Sequence, residues 1–286
     1  MPSDGFLLVD KPPGPTSHDV VAAARRALRT RRVGHAGTLD PFASGLLPLL
    51  VGRGTRLMPY VVGFPKRYTG VLRLGIVTDT DDGTGTIVAE HDGGPAVSDE
   101  ALAAAMTALT GTIQQLPPTY SAKKVGGTPA HRRARRGEVV TLAPRTVEVH
   151  QFAMADRAGA DVTFAADVGS GTYVRALARD LGLALGCGAH LRELRRTGVG
   201  PWHLRDAVPF DALVRGDVGL APLLAAVPHL PRRDVTGEEA AAVRHGRPVP
   251  SGAVHEGPVA VLQDGALLAI AVPRGDVLQP HTVLAE

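Results

Sequence analysis

The chain has 286 residues, 44% of them hydrophobic, with a net charge of +3, which suffices for one large core or one large core plus a small second domain. No stretch of about 18 apolar residues occurs and no basic region precedes an apolar run at the N-terminus, so neither a membrane span nor a secretory signal is expected. The single Cys187 excludes an intramolecular disulfide and suits a reducing cytoplasm, and no histidine and carboxylate spacing suggests a metal site.

Residues 5–10 read as a short apolar strand, stopped by the rigid loop Lys11-Pro12-Pro13-Gly14-Pro15. Ser17 is placed as the N-cap of a helix whose apolar stripe is Val20, Val21, Ala24, Ala27 and Leu28, with Arg25, Arg26 and Arg29 on the other faces. Residues 34–40 form a glycine-containing loop, and Pro41 is expected to start a short helix through residue 50. Residues 68–76 alternate as a strand. Residues 98–109 read as a helix capped by Ser98, with Asp99 and Glu100 in its first turn. Residues 115–127 are loop-rich. Residues 145–152 and 161–168 read as paired strands, Gly171-Thr172 opens a helix to residue 185, and a second helix is expected over 189–196. Residues 228–233 look like a linker, followed by short strands punctuated by Gly and Pro. Strands and helices without regular βαβ alternation indicate an α+β fold.

The basic residues are unevenly placed. Between residues 20 and 78 the sole carboxylate is Asp40, among ten Arg and Lys. Residues 121–137 hold Lys123, Lys124, Arg132, Arg133, Arg135 and Arg136 and no acid, and Arg192, Arg195 and Arg196 form a third cluster. Such blocks suit a polyphosphate backbone, because each neutralised phosphate releases counterions; solvated helix faces are the plainer reading.

Single residues leave alternatives open. Asp40-Pro41 is an ordinary N-cap and first helical residue, yet a carboxylate in a field of cations also suits a nucleophile. Arg175, near a helix start, is either a surface residue or the partner of an anion. Tyr68 and Tyr173 are core residues or stacking platforms for an extruded base. His35 is a turn residue or a wedge into a base stack. Asp79-Thr80-Asp81-Asp82-Gly83 has the look of a calcium loop, but its glycine falls one position early and its third ligand position is wrong. Gly169-Ser170-Gly171 lacks the third glycine of a dinucleotide fingerprint.

The order of the motifs says more. The run from Asp10-Lys11-Pro12 to Ser17-His18-Asp19, the run Gly34-His35-Ala36-Gly37-Thr38-Leu39-Asp40-Pro41 with Ser44-Gly45-Leu46-Leu47, and Lys66-Arg67-Tyr68 with Leu72-Arg73-Leu74-Gly75 are followed by Pro117-Pro118-Thr119-Tyr120-Ser121-Ala122, Gly171-Thr172-Tyr173-Val174-Arg175 and His190-Leu191 through Leu194-Arg195-Arg196-Thr197. This ordered set, over residues 5–200, resembles the TruB-type tRNA pseudouridine synthases. The resemblance implies a pseudouridine-synthase catalytic domain over 1–228, with a mixed, mainly antiparallel central sheet flanked by helices and an RNA-gripping insertion at about 121–145. It also implies a small β-rich PUA-like domain over 229–286.

By the same resemblance the chain isomerises uridine 55 in the T loop of tRNA without cofactor or metal; the single cysteine suits the cytoplasm, and a monomer is the default expectation. Asp40 is the nucleophile, Arg175 pairs with it, and Tyr68 stacks on the flipped base. His35 fills the gap that the base leaves. Tyr173 and Leu194 line the uracil pocket, and Lys11 and Pro12 shape its floor. Lys123, Lys124, Arg132, Arg133 and Arg136 hold the RNA backbone. A tRNA-folding chaperone without chemistry and an N-glycosidase are the competing readings.

Overall fold

The computed structural model describes residues 4–91, 96–119, 124–125, 128–129, 142–254 and 256–284, with backbone only at 124–125 and 128–129. Tyr120, Lys123, Arg132, Arg133 and Arg136 lie outside the described residues, as do the side chain of Lys124 and most of the basic insertion. The chain divides into two compact units: Met1–Pro41, Gly45–Val62 and Pro201–Glu286 form one, and Phe42–Ser44 with Gly63–Gly200 form the other.

The first unit begins with strand β1 (Gly5–Lys11), helix α1 (Ser17–Ala27), strand β2 (Val33–His35) and strand β3 (Ser44–Val51). β3 runs antiparallel to both β1 and β2. The expected helix from Pro41 is not formed. Every residue of β3 is buried, so the run reads as continuously apolar, with neither strand alternation nor a helical stripe to reveal it. Pro48 in its middle would break a helix, and its carbonyl accepts from Ala36 N–H at 2.9 Å. The N-cap of α1 is Thr16, not Ser17: Thr16 and Asp19 form a reciprocal capping box. This bond also holds the Asp19 carboxyl below its ordinary range. A short helix α2 (Met58–Val61) follows.

The second unit is built on a wholly antiparallel run of strands. They are β4 (Lys66–Leu74), the hairpin β5 (Ile76–Thr78) and β6 (Ile87–Glu90), β7 (Gly111–Gln115), β8 (Lys124–Val125), β9 (Thr128–Pro129), β10 (Arg145–Ala158), β11 (Asp161–Val168) and β12 (Ala189–Val199). The order across its sheet is β12–β4–β11–β10–β7. Helix α3 (Asp99–Ala108), capped by Ser98 as expected, seats Leu102 and Met106 in the interior, and helix α4 (Val174–Ala184) packs on β12.

The helix expected over 189–196 is strand β12. Bulges at Leu191/Glu193 and Arg196/Gly198 break the period of two, which leaves a spacing that imitates a helix. The Arg67 guanidinium lies over Gly198 in the space that a Cβ there would take.

The first unit resumes with β13 (Trp202–His203), β14 (Val208–Pro209), α5 (Phe210–Arg215), β15 (Arg232–Asp234), α6 (Gly237–Arg244), β16 (Val249–Pro250), β17 (Val259–Gln263), β18 (Ala266–Arg274) and β19 (Val277–Val283). β14 pairs parallel with β1. The last five strands make a separate sheet in the order β15–β17–β18–β19–β16. Its own core includes Val243, Val259, Val261, Leu268 and Leu278. The α+β class read from the sequence is the class observed. No helix among the described residues is long and apolar enough to cross a membrane.

Candidate active site

In the first unit the site is built around the loop that carries Asp40. Ser17 Oγ donates to Leu39 O at 3.0 Å and accepts from Leu39 N–H at 2.8 Å, so one buried hydroxyl satisfies both backbone groups of the residue before Asp40. The residue after it is held as firmly. Pro41 O accepts from Gly14 N–H at 2.8 Å and from Lys11 Nζ at 3.3 Å.

Lys11 is fully buried, and its ammonium also donates to Pro12 O and Pro15 O, each at 2.9 Å. A buried cation is costly unless its donors are used. The proline-rich turn meets that demand with carbonyls that no helix or sheet ladder consumes. Lys11 is thus brought to the Asp40 loop, with Pro12 beside it. Pro12 is half-buried and supplies a carbonyl to the Lys11 cage. His35, at the end of β2, meets His18 edge to face, with ring centroids 6.4 Å apart.

In the second unit Tyr68 and Leu194 share one face. Tyr68 pairs across β4 and β12 with Arg196, and Leu194 pairs with Gly70, two residues from Tyr68. Tyr68, Leu194 and Arg196 are all buried. Position 70 must be glycine, because a Cβ would stand 2.3 Å from Glu193 O and 2.9 Å from the Phe164 ring.

Arg175 is not a surface residue. It lies in the first turn of α4 and is 4% exposed. The unfavourable end of the helix dipole is answered by acceptors: Nη1 donates to Thr80 O at 2.9 Å and stands 3.5 Å from Asp82 Oδ2. Tyr173, the N-cap residue, is fixed through its backbone. Its N–H donates to Gln115 Oε1 at 2.8 Å and its carbonyl accepts from Gln115 Nε2 at 3.1 Å.

Two of these supporting residues were missed in the sequence. Gln115 looked like the start of a loop; it ends β7, buried, and nothing in its neighbourhood signals the amide clamp. Asp82 belongs to the run with the look of a calcium loop. Its Oδ1 accepts from Thr80 Oγ1 at 2.9 Å, Thr84 N–H at 3.0 Å and Thr84 Oγ1 at 2.6 Å, while its other oxygen faces Arg175. Asp81 pairs with Arg179 at 3.2 Å, and burial raises its carboxyl above the ordinary range. Asp79 accepts from Thr86 N–H at 2.8 Å. The acid run is therefore the internal scaffold of a turn that carries Arg175's partner. Among the described residues no cluster of three or more His, Cys, Asp or Glu is placed to hold a metal ion.

Comparisons with known proteins place the chain among known families. Residues 25–174 match the TruB family pseudouridylate synthase N-terminal domain, residues 175–217 the tRNA pseudouridylate synthase B C-terminal domain, and residues 230–285 the tRNA pseudouridine synthase II C-terminal domain. The chain is 45% identical over 296 residues to tRNA pseudouridine synthase B of Arthrobacter sp. (strain FB24), covering 98% of this chain and 96% of that one. It is 46% identical over 294 residues to the protein of that name from Thermobifida fusca (strain YX), covering 99% of each. Among solved structures, a chain of a Cbf5-Nop10-Gar1 complex superposes with a TM-score of 0.74 at 28% identity, over 99% of this chain and 85% of that chain. A chain of an H/ACA RNP bound to a substrate RNA containing 2'-deoxyuridine gives 0.74 at 26%, over 99% and 85%.

Proposed function

The chain belongs to the TruB family of tRNA pseudouridine synthases, and from that premise we propose that it isomerises uridine 55 in the T loop of tRNA to pseudouridine. The observation that carries the reading is Asp40 itself: a lone carboxylate in a long basic stretch, on a loop whose two flanking residues are fastened by Ser17, Gly14 and Lys11. A tRNA-folding chaperone has no use for a lone carboxylate on a loop fastened on both sides.

In this reading the target uridine leaves the loop stack at a cost of a few kcal/mol. Stacking on Tyr68, worth about 1–3 kcal/mol, and phosphate contacts offset that cost. His35 occupies the gap. Asp40 is the nucleophile, and Arg175, positioned through Asp82, orients it. The N1–C1′ bond breaks and the uracil turns between Tyr68, Tyr173 and Leu194. The C5–C1′ bond then forms, C5 loses its proton and N1 gains one, so no atom or electron is left over and no cofactor is consumed. Holding the detached base beside the ribose replaces a bimolecular encounter by an intramolecular one.

Lys123, Lys124, Arg132, Arg133 and Arg136 grip the backbone of the T stem-loop. The protein acts as a cytoplasmic monomer, with a catalytic domain over 1–228 and a PUA-like module over 229–286. The experiment is to incubate an unmodified tRNA transcript with the protein and map pseudouridine by carbodiimide-dependent primer-extension stops. One stop at position 55, absent from a transcript with cytidine there, is expected. A stop elsewhere, or none, would overturn the assignment.

A further inference from the structure

Lys66 opens β4 two residues before Tyr68, so both side chains leave the same face of the strand, about 7 Å apart along it. Its ammonium donates to Phe64 O at 2.6 Å and to Ser170 Oγ at 3.3 Å. Ser170 belongs to the Gly169-Ser170-Gly171 turn that leads into Tyr173 and α4, so Lys66 ties the strand of the stacking tyrosine to the turn before the arginine helix. Both partners are neutral. Among the described residues no carboxylate pairs with Lys66, and the charge whose field reaches it is a second cation, Arg196, on the neighbouring strand.

Among the described residues Arg53, Arg157 and Arg179, partly buried like Lys66, each stand beside a carboxylate. A half-buried ammonium beside a guanidinium is a costly arrangement in the free protein. Burial, then the Arg196 charge, lower its pKa to about 8. The arrangement becomes favourable once an anion arrives.

We propose that Lys66 binds a phosphodiester oxygen of the substrate RNA next to the flipped nucleotide, and so sets the register of the base on Tyr68. Lys66 is a positioning residue in this scheme and touches neither the base nor C1′. The proposal rests on the reading of Tyr68 as the platform for the target uridine.

The test uses a T-arm stem-loop with wild type, K66Q and K66R. Tritium release from C5 by wild type checks the parent reading independently of Lys66. K66Q should bind the arm about tenfold more weakly. Its log Kd against log salt should be shallower by about 0.7–0.9, the value of one released counterion; K66R should restore both. A methylphosphonate beside the target uridine should weaken wild type and leave K66Q unchanged, which also separates an RNA phosphodiester from a site for free phosphate. The wild-type half of this arm uses unaltered protein, so its loss of affinity can be read even if K66Q loosens the tie between Phe64 and Ser170. An unchanged salt slope, or additive effects of K66Q and the neutral phosphate, would overturn the proposal while normal wild-type turnover leaves the parent reading intact. No tritium release by wild type would overturn both.

Discussion

Ser17 and Leu39 are joined twice: the serine hydroxyl donates to the leucine carbonyl at 3.0 Å and accepts from its N–H at 2.8 Å. The side chain that heads α1 is thereby the clamp on the loop of Asp40. S17A should leave both Leu39 groups unsatisfied in a buried place, at about 1–3 kcal/mol of stability. Turnover should fall by at least tenfold while the Kd for tRNA stays within about threefold. Single-turnover kinetics with chemical denaturation measures both; an unaltered rate would show that Asp40 does not depend on this clamp.

Lys11→Met should act on the same loop from the other side. It removes three donors from the carbonyls of Pro12, Pro15 and Pro41 while conserving most of the apolar stem. A loss of turnover of about tenfold or more is expected, with tRNA affinity nearly kept. A variant that lost affinity first would place Lys11 on the RNA instead of beneath the loop.

Asp82 offers a contrast between charge and structure. D82N keeps an oxygen for Thr80 and Thr84 but removes the charge facing Arg175, so the fold should survive and turnover should fall. D82A removes both and should destabilise the protein by about 3 kcal/mol or more, the usual cost of breaking a buried pair from one side. Thermal unfolding beside turnover separates the two effects. Full activity of D82N would mean that Arg175 needs no carboxylate there.

The lowered pKa of Lys66, about 8, fixes two signs. Above pH 8 the free protein loses the cation, so RNA affinity should decline between roughly pH 7.5 and 9 in wild type and stay flat in K66R, whose guanidinium remains charged. For folding, the native pKa lies below the unfolded value of 10.5. Between about 8 and 10.5 the unfolded chain holds more protons, so the contribution of Lys66 to stability rises with pH across that window and is least favourable below it. Arg196 is the charged neighbour whose field reaches it. A flat wild-type affinity profile would contradict the first sign.

The loop of Asp40, the strand of Tyr68 and the helix of Arg175 were legible because each sits in a motif of fixed order, and the α+β class followed from mixed periodicities. Two elements were not. Residues 44–51 are buried on both faces, so the cue that separates strand from helix is missing. β12 is twice bulged, and bulges shift the side-chain alternation on which a strand is recognised. The supporting shell was hidden for a different reason. Ser17 carries the sequence pattern of a helix cap and Asp82 that of an ion loop; only the fold shows Ser17 turned to Leu39 and Asp82 turned to Arg175.

The central claim is that Asp40 performs the chemistry, and tritium release from tRNA labelled at C5 of uridine tests it most directly, with D40N beside wild type. The account predicts release of about one tritium per tRNA by wild type, and none by D40N despite tRNA binding within about tenfold of normal, since an amide keeps the shape and loses the nucleophile. Full release by D40N, or tight binding without release by the wild-type protein, would contradict it.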